Sequence, residues 1–180
     1  MKIETILLAF LIGLHLAVVQ FGFLLNLQVH VSSTYLTYMM VVLSWFCGSL
    51  IGLWTDRLGL KSGVLVSTAA YYVSYGIVAA NPFSRLTIVL SALCVVIAGL
   101  WAGRFFTLFI QRFKQSDSLF LHENNGFLVG IISFFVGFTL LGKSFLLLMP
   151  GFLAILILSM GNHPSASPTP ERKSKGGGAL

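Results

Sequence analysis

A few polar side chains lie inside long apolar runs, and these residues are the ones in this chain most able to do chemistry. They are His15, Gln20, Asn26, Arg104, Glu123 and Asn124. An ionisable group in an apolar environment is costly, so it is usually paired or functional. Glu123 can hold a proton or an ion, or it can form a structural pair with Arg104. His15 can respond to protons or contact a substrate, or it can be a neutral ring bonded to another helix. For both residues the structural role is the simpler interpretation.

The residue types that catalysis needs do not occur at suitable spacings. No Ser-His-Asp order, phosphate-binding glycine loop, metal cluster or pair of catalytic carboxylates can be recognised. Cys47 and Cys94 each stand alone in an apolar run, whereas a redox pair or a zinc site needs a second cysteine a few positions away. We therefore predict two buried structural thiols. His30 and His122 are expected near opposite ends of the molecule, where they cannot share a metal ion. The prediction is a protein that is not an enzyme and that has no cofactor or metal.

The composition indicates which elements position these residues, because it is typical of an integral membrane protein. Of the 180 residues, 57% are hydrophobic and only 9% are charged. Soluble domains carry about 25% charged residues, so this chain has too few charges to cover a surface that faces water. The net charge of +6 does not indicate nucleic-acid binding. Its cations stand at the ends of the apolar runs, and no nucleic-acid motif accompanies them.

Several apolar segments are long enough to cross a bilayer as helices, since a span needs about 20 mostly apolar residues. We predict an all-α, polytopic bundle over residues 1–161, with six spans at approximately 5–28, 34–54, 63–81, 86–110, 119–142 and 145–161. The first segment resembles a signal peptide, but its apolar run is too long and lacks a cleavage site, so we expect a retained helix. Pro150 and Gly151 are expected to kink the short last span. Residues 162–180 are predicted to form a disordered cytoplasmic tail, and its final "GGGAL" looks like an engineered linker.

The distribution of Lys and Arg predicts the orientation of the bundle. With six spans, nine cations fall on the side that holds both termini: Lys2, Arg57, Lys61, Arg104, Arg112, Lys114, Arg172, Lys173 and Lys175. Only Arg85 and Lys143 fall on the other side. The positive-inside rule then places both termini in the cytoplasm.

The loop between the second and third spans carries a recognisable pattern, "GLWTDRLGLK", from Gly52 to Lys61. It resembles the G-x-x-x-D-R-x-G-x-[RK] loop of the major facilitator superfamily, which lies on the cytoplasmic side between the second and third helices. Gly52 allows close helix contact, and Gly59 allows a tight turn. Asp56 is expected to accept hydrogen bonds from the start of the third helix, where the helix dipole favours an anion. Arg57 and Lys61 are interpreted as topology markers.

A second resemblance covers residues 119–142, which are similar to the fifth helix in the membrane part of bacterial spermidine synthase-like proteins. That part is a six-helix unit related to the facilitator fold. The shared pattern is an Asn-containing turn, Gly126-x-x-x-Gly130 and a closing Leu-Gly, although this chain has Glu123-Asn124-Asn125 in place of Ala-Asn. The resemblance implies a half-facilitator bundle. The aminopropyltransferase domain of those enzymes is missing from these residues, so their activity is not carried over.

Small residues recur at four-residue spacing on three of the predicted helices. Such faces let helix backbones approach closely in a membrane. Packing within one bundle explains each stripe most simply, but three such helices also suggest a face between molecules. On the fifth helix, Glu123 begins the stripe, which should turn it toward a packed partner or a cavity. The glycines of this predicted interface are Gly48, Gly99, Gly103, Gly126, Gly130 and Gly137.

Three functions fit these features. Two copies can pair into a transporter with a substrate path at the midplane, as in transporters built from repeats. Alternatively, the bundle is a non-transporting scaffold or assembly subunit that docks another membrane protein, which the shortage of charges inside the membrane favours. A third possibility is a membrane partner for a separately encoded aminopropyltransferase-like enzyme. Because the facilitator-like loop normally belongs to moving bundles, we expect a transporter-like homodimer in a bacterial inner membrane, with the lipid bilayer as its surroundings and a substrate that the residues do not specify.

Overall fold

Helices joined by short loops make up the described part of the chain. The computed structural model describes residues 3–31, 35–113 and 116–161. Within these ranges there are six long helices and one 3-10 turn: α1 (Ile3–His30), α2 (Tyr35–Trp54), α3 (Leu60–Ala80), α4 (Arg85–Phe109), the turn Ile110–Arg112, α5 (Ser116–Leu141) and α6 (Lys143–Met160). Each of the six helices is long and apolar enough to cross a membrane. The all-helical class and the number of candidate spans are thereby confirmed, and the predicted tail at 162–180 lies outside the described residues.

The helix ends lie close to the predicted ones, with a largest difference of three residues at the starts of α3 and α5. The last predicted span is a continuous helix, although Pro150 lies inside it. α1 is the central element, since it contacts each of the other five long helices. Burial decreases outward from it, and α2 and α5 are the least buried of the six.

One pair of helices, α2 and α4, is in direct backbone contact. A Cβ atom added to Gly48 would collide with the carbonyl oxygen of Val96, and one added to Gly103 would collide with that of Ser49. Only glycine permits this approach, because any side chain would occupy the space of the neighbouring backbone. The residue numbers rise together along both helices, so the pair is parallel. The glycines in the contact are Gly48, Gly52, Gly99 and Gly103.

A second pair, α1 and α5, packs in the same way. The Cα atom of Gly126 lies against the carbonyl of Phe10, and that of Gly13 lies against the carbonyl of Glu123. Gly130 also faces α1, and this pair is again parallel. The glycines predicted to form an interface are therefore covered within the chain: Gly48, Gly99 and Gly103 by the α2–α4 contact, Gly126 and Gly130 by α1, and Gly137 by α6. These faces are occupied, so a second molecule would have to pack elsewhere.

α3 and α6 complete the bundle and run antiparallel to each other. The indole ring of Trp101 in α4 covers Gly63 near the start of α3. Gly161, after the end of α6, lies beside Leu60. Since the helices alternate in direction, the start of α1, the loop 55–59, the end of α4 and the end of α6 lie together. We call this the signature end of the bundle.

Tyr71 of α3 satisfies a backbone carbonyl that the proline of α6 leaves free. Pro150 has no N–H group, so the carbonyl of Leu146, four residues earlier, lacks its usual helical partner. The hydroxyl of Tyr71 donates to this carbonyl at 2.9 Å. Because Tyr71 is itself buried, both polar groups are satisfied without water.

Tyr72 acts one residue further along the same helix. Its hydroxyl donates to the carbonyl of Leu147 at 2.7 Å and accepts from the N–H of Gly151 at 2.9 Å. In an uninterrupted α-helix these two backbone groups would bond to each other. The hydroxyl is thus inserted into the hydrogen-bond ladder of α6, which allows the helix to continue through Pro150.

Replacing Gly103 by alanine is expected to lower the thermal stability of the protein, because the new methyl group collides with the backbone of α2. Overpacking of this kind typically costs about 1–3 kcal/mol. Gly76→Ala is the matched control, since nothing lies within 4 Å of the added Cβ atom. The measurement is the midpoint of thermal unfolding in a mild detergent. Equal midpoints for the two variants would contradict the assigned packing.

Tyr72→Phe is expected to destabilise α6, because the carbonyl of Leu147 and the N–H of Gly151 lose the hydroxyl between them. Two lost hydrogen bonds correspond to about 1–3 kcal/mol. Tyr75→Phe is the control, since the hydroxyl of Tyr75 has no hydrogen-bond partner among the described residues. Thermal unfolding and hydrogen exchange at the Gly151 amide report the effect. If exchange at Gly151 is unchanged in Tyr72→Phe, the bridge does not support α6.

Candidate functional site

A cleft of about 620 Å³ opens between the two helix pairs, on the half of the bundle toward the signature end. α2 and α4 form one wall, α5 forms the other, and Leu16 of α1 lies at the bottom. Its volume falls within the range of small-molecule sites, about 300–1,000 Å³. The lining is almost entirely apolar, and the polar residues in it are Ser49, Thr107, Ser116 and Glu123. The cleft therefore has the size and the enclosure that a small ligand needs.

Glu123 is the ionisable residue of the cleft among the described lining residues. It is 5% exposed, and no hydrogen bond or ion pair from a described residue reaches its carboxylate. The hydroxyls of Ser49, Thr107 and Ser116 all donate to groups of their own helices. The carboxylate is therefore the polar group of the cleft that is left to interact with a bound molecule.

The packing of α5 on α1 positions this carboxylate. Glu123 lies on the same face of α5 as Gly126 and Gly130, three and seven residues later, because these offsets return to one side of a helix. The glycines hold that face against α1, and the backbone of Glu123 itself contacts Gly13. The side chain is thus carried on a tightly packed element and lines the cleft at the edge of the α1–α5 contact.

Aromatic rings surround much of the remaining cleft. The rings of Phe106 in α4 and Phe120 in α5 are stacked, with centroids 5.0 Å apart and an interplanar angle of 26°. This stack is a contact between the two walls. The aromatic residues of the lining are Trp45, Phe46, Phe106, Phe120 and Phe127. The cleft therefore combines one carboxylate with several flat, polarisable faces.

Arg104 pairs with Asp56 and not with Glu123, the partner that the sequence analysis considered for it. Its Nη1 atom is 2.9 Å from Oδ1 of Asp56, and its Nε and Nη2 atoms donate to the carbonyls of Leu58 and Asp56, each at 3.1 Å. The side chain of Arg104 is 12% exposed, whereas that of Asp56 is 92% exposed. The loop offers a carboxylate and two carbonyls, which together satisfy the guanidinium better than a single carboxylate would. Arg104 therefore ties the loop between α2 and α3 to the end of α4.

Asp56 likewise differs from its predicted role at the start of α3. Helix α3 is capped by Ser62, whose hydroxyl accepts from the N–H of Gly59 at 2.9 Å and donates to the carbonyl of Gly59 at 3.1 Å. Asp56 lies earlier in the loop and binds Arg104 instead. Arg57 and Lys61 are both exposed, and neither takes part in the contacts between the loop and Arg104.

His15 lies outside the cleft, in a second polar region between α1, α3 and α4. Its side chain is fully buried, and its Nε2 atom is 3.0 Å from the Thr68 hydroxyl. The bond joins α1 to α3. Nδ1 of His15 has no partner among the described residues, and the same holds for four other buried polar atoms on α3 and α4: the hydroxyls of Ser67, Ser74 and Ser91, and Nε1 of Trp101. His15 and Glu123 are thus not brought together, because His15 faces α3 while its neighbour Leu16 faces the cleft.

The other predicted candidates also lie apart from the cleft. Gln20 is half-buried, Asn26 is buried farther along α1, and Asn124 is exposed on α5. Asn124 follows Glu123 directly, and consecutive residues point about 100° apart around a helix, so the two side chains do not share a site. Of the candidate residues, Glu123 alone among the described ones lines the cleft.

The two thiols differ from one another. Cys94 is buried as predicted, but Cys47 is exposed, so the prediction of a buried structural thiol is wrong for Cys47. It lies on the outer side of α2, which is one of the two least buried helices. In an apolar run, hydropathy does not distinguish a side packed on protein from a side that faces outward.

The aromatic lining was not predicted from the sequence. Its members come from three different helices, so only the packing brings them together. Among the residues that the structure describes, no group of three or more His, Cys, Asp or Glu is placed to hold a metal ion.

The chain was also compared with protein-family models, with curated proteins and with solved structures. It matches none of them.

Arg104→Gln is expected to destabilise the protein more than Asp56→Asn. The arginine variant loses charged hydrogen bonds to two carbonyls and a carboxylate, at a cost on the order of 1.5–3 kcal/mol. The aspartate variant removes only an exposed ion pair, which is worth about 1 kcal/mol or less. Thermal unfolding and the rate of trypsin cleavage after Arg57 measure the two effects, with Arg85→Gln as the control. An Asp56→Asn effect as large as that of Arg104→Gln would show that the ion pair, not the carbonyl contacts, holds the loop.

Proposed function

We propose that this chain is a transporter-like integral membrane protein that works as a homodimer of six-helix, half-facilitator bundles. The observation that carries the proposal is the cleft, which combines small-molecule size with a buried carboxylate that has no partner among the described residues. Ionisable groups at membrane depth commonly mark substrate or ion pathways. Secondary transporters hold such groups between two bundles. A cleft that opens to one side of a six-helix unit fits one half of that arrangement.

The proposed orientation has both termini in the cytoplasm of a bacterial cell, in the inner membrane. The described cations support it: Arg57, Lys61 and Arg104 lie at the signature end, and Arg85 and Lys143 lie at the other. This distribution agrees with the positive-inside rule. In this orientation the facilitator-like loop is cytoplasmic, and the cleft lies in the cytoplasmic half of the bundle.

The proposed dimer places a second copy across the open side of the cleft. α2 and α5 flank this opening, and they are the least buried of the six helices. Their rim includes Phe46, Leu50 and Phe120, which are 61%, 60% and 52% exposed. A second copy placed there would enclose a path between two clefts, each with its own Glu123. The glycine faces take no part, because they are covered inside each copy.

The homodimer is tested by cross-linking at the rim of the cleft. In a Cys47→Ser background, Leu50→Cys is expected to give covalent dimers with a short bismaleimide in native membranes. Val73→Cys is the matched control, because Val73 is 55% exposed on α3 but does not line the cleft. The native mass of the protein in lipid nanodiscs should equal two copies.

A strictly monomeric mass, or equal cross-linking at both positions, would overturn the proposed homodimer. Recovery of a different protein in a fixed ratio, without a second copy of this chain, would support the scaffold function instead.

A further inference from the structure

We infer that the cleft binds a lipophilic cation, with Glu123 as the anionic contact and the surrounding aromatic rings as the apolar enclosure. The inference deepens the proposed function by naming a substrate class, and its role in transport rests on that function. Binding itself requires only the cleft of a single chain.

The buried carboxylate of Glu123 lacks a countercharge among the described residues. The carboxylate of Glu123 is buried in an apolar lining, and a buried charge is costly unless an opposite charge or hydrogen bonds compensate it. Arg104, the nearest cation in the predicted scheme, is turned away and bound to Asp56. His122, which directly precedes Glu123 on α5, lines a separate depression beside Asn125. Since no described side chain supplies the positive charge, a bound molecule that carries one would complete the site.

The walls of the cleft also suit a cation, because several of their side chains are aromatic. A cation held against aromatic faces gains energy from the ring quadrupoles, most of all where water is excluded. The cleft offers one indole and four phenyl rings in its lining, contributed by α2, α4 and α5. The aliphatic residues between them provide the apolar surface that a lipophilic body needs. Rings and carboxylate together match a molecule that is apolar over most of its surface and positively charged at one point.

Other ligand classes fit this lining less well. An anion would face the carboxylate of Glu123, and the described lining contains no Lys or Arg to balance the charge. A sugar or another hydrophilic solute would lose its hydration without recovering hydrogen bonds, because the lining hydroxyls already donate within their own helices. A neutral hydrocarbon chain would fill the space but would leave the carboxylate unpaired.

The test is equilibrium dialysis of methyltriphenylphosphonium against the full chain in phosphatidylcholine nanodiscs, with empty nanodiscs as background. We expect saturable binding by the wild type. Glu123→Gln should weaken it by about tenfold or more, since a charged contact is lost. Glu4→Gln is the control for loss of one carboxylate, because Glu4 is exposed and lies outside the cleft. Its affinity should equal that of the wild type.

A second variant and a neutral competitor keep the result independent of folding. Phe127→Leu should weaken binding by about threefold through loss of one aromatic face. The unfolding midpoint of Glu123→Gln should equal that of the wild type, because none of the described residues bonds to the carboxylate. Triphenylphosphine oxide, which is similar in shape but uncharged, should not compete at concentrations that saturate the cation site.

Absence of saturable binding, unchanged affinity in Glu123→Gln, or equal competition by the neutral oxide would each overturn the inference. The outcome is separable from that of the homodimer test. A dimer that does not bind the phosphonium overturns the substrate class alone. A monomer that binds it retains the site and overturns the homodimer.

Discussion

Where α4 crosses α2, the backbone at Gly103 lies directly against that of Ser49, and a contact of the same kind joins α1 to α5. In a membrane, helices gain little from burying apolar side chains, because lipid is equally apolar. Close packing of backbones then becomes a main source of association. The bundle is accordingly built from two tight parallel pairs, with α3 and α6 packed against them. The cleft exists because the helices within each pair are in backbone contact, whereas α5 packs only loosely against the α2–α4 pair. A larger residue in place of one of these glycines would push apart the two helices of its pair and so change the shape of the cleft.

Arg104 shows how one side chain can define two regions at once. It directly follows Gly103, so the close α2–α4 contact fixes where its guanidinium can reach. The guanidinium lies at the loop 55–59, where it binds two carbonyls and the carboxylate of Asp56. The same preference leaves Glu123 without a cationic partner in the described part of the chain. Because Arg104 points toward the loop, it both orders the loop and does not neutralise the carboxylate of Glu123.

Much of the fold could be predicted from the sequence, because hydropathy and length determine which segments can cross a membrane. The glycine spacing also marked the helix faces that pack, since a four-residue repeat lies on one side of a helix. The partners of those faces were beyond prediction. Nothing in the order of residues states that Arg104 meets Asp56 and not Glu123, or that Thr68 meets His15. Cys47 illustrates the same limit, because an apolar run does not reveal which of its sides is covered. The cleft was the least predictable feature, since its rings come from separate helices and follow no shared spacing.

The dependence of α6 on α3 bears on how such a bundle is made. α6 follows the other five helices along the chain, and Pro150 deprives it of one backbone hydrogen bond while Gly151 donates outside its own ladder. In an apolar environment, unsatisfied backbone groups are costly, so α6 on its own would be less stable than an uninterrupted helix. Tyr71 and Tyr72, whose hydroxyls bond to the backbone of α6, belong to α3 and so lie much earlier in the chain. The final helix therefore depends on its contact with α3 to satisfy its backbone, so its stability is coupled to the placement of a helix that lies much earlier in the chain.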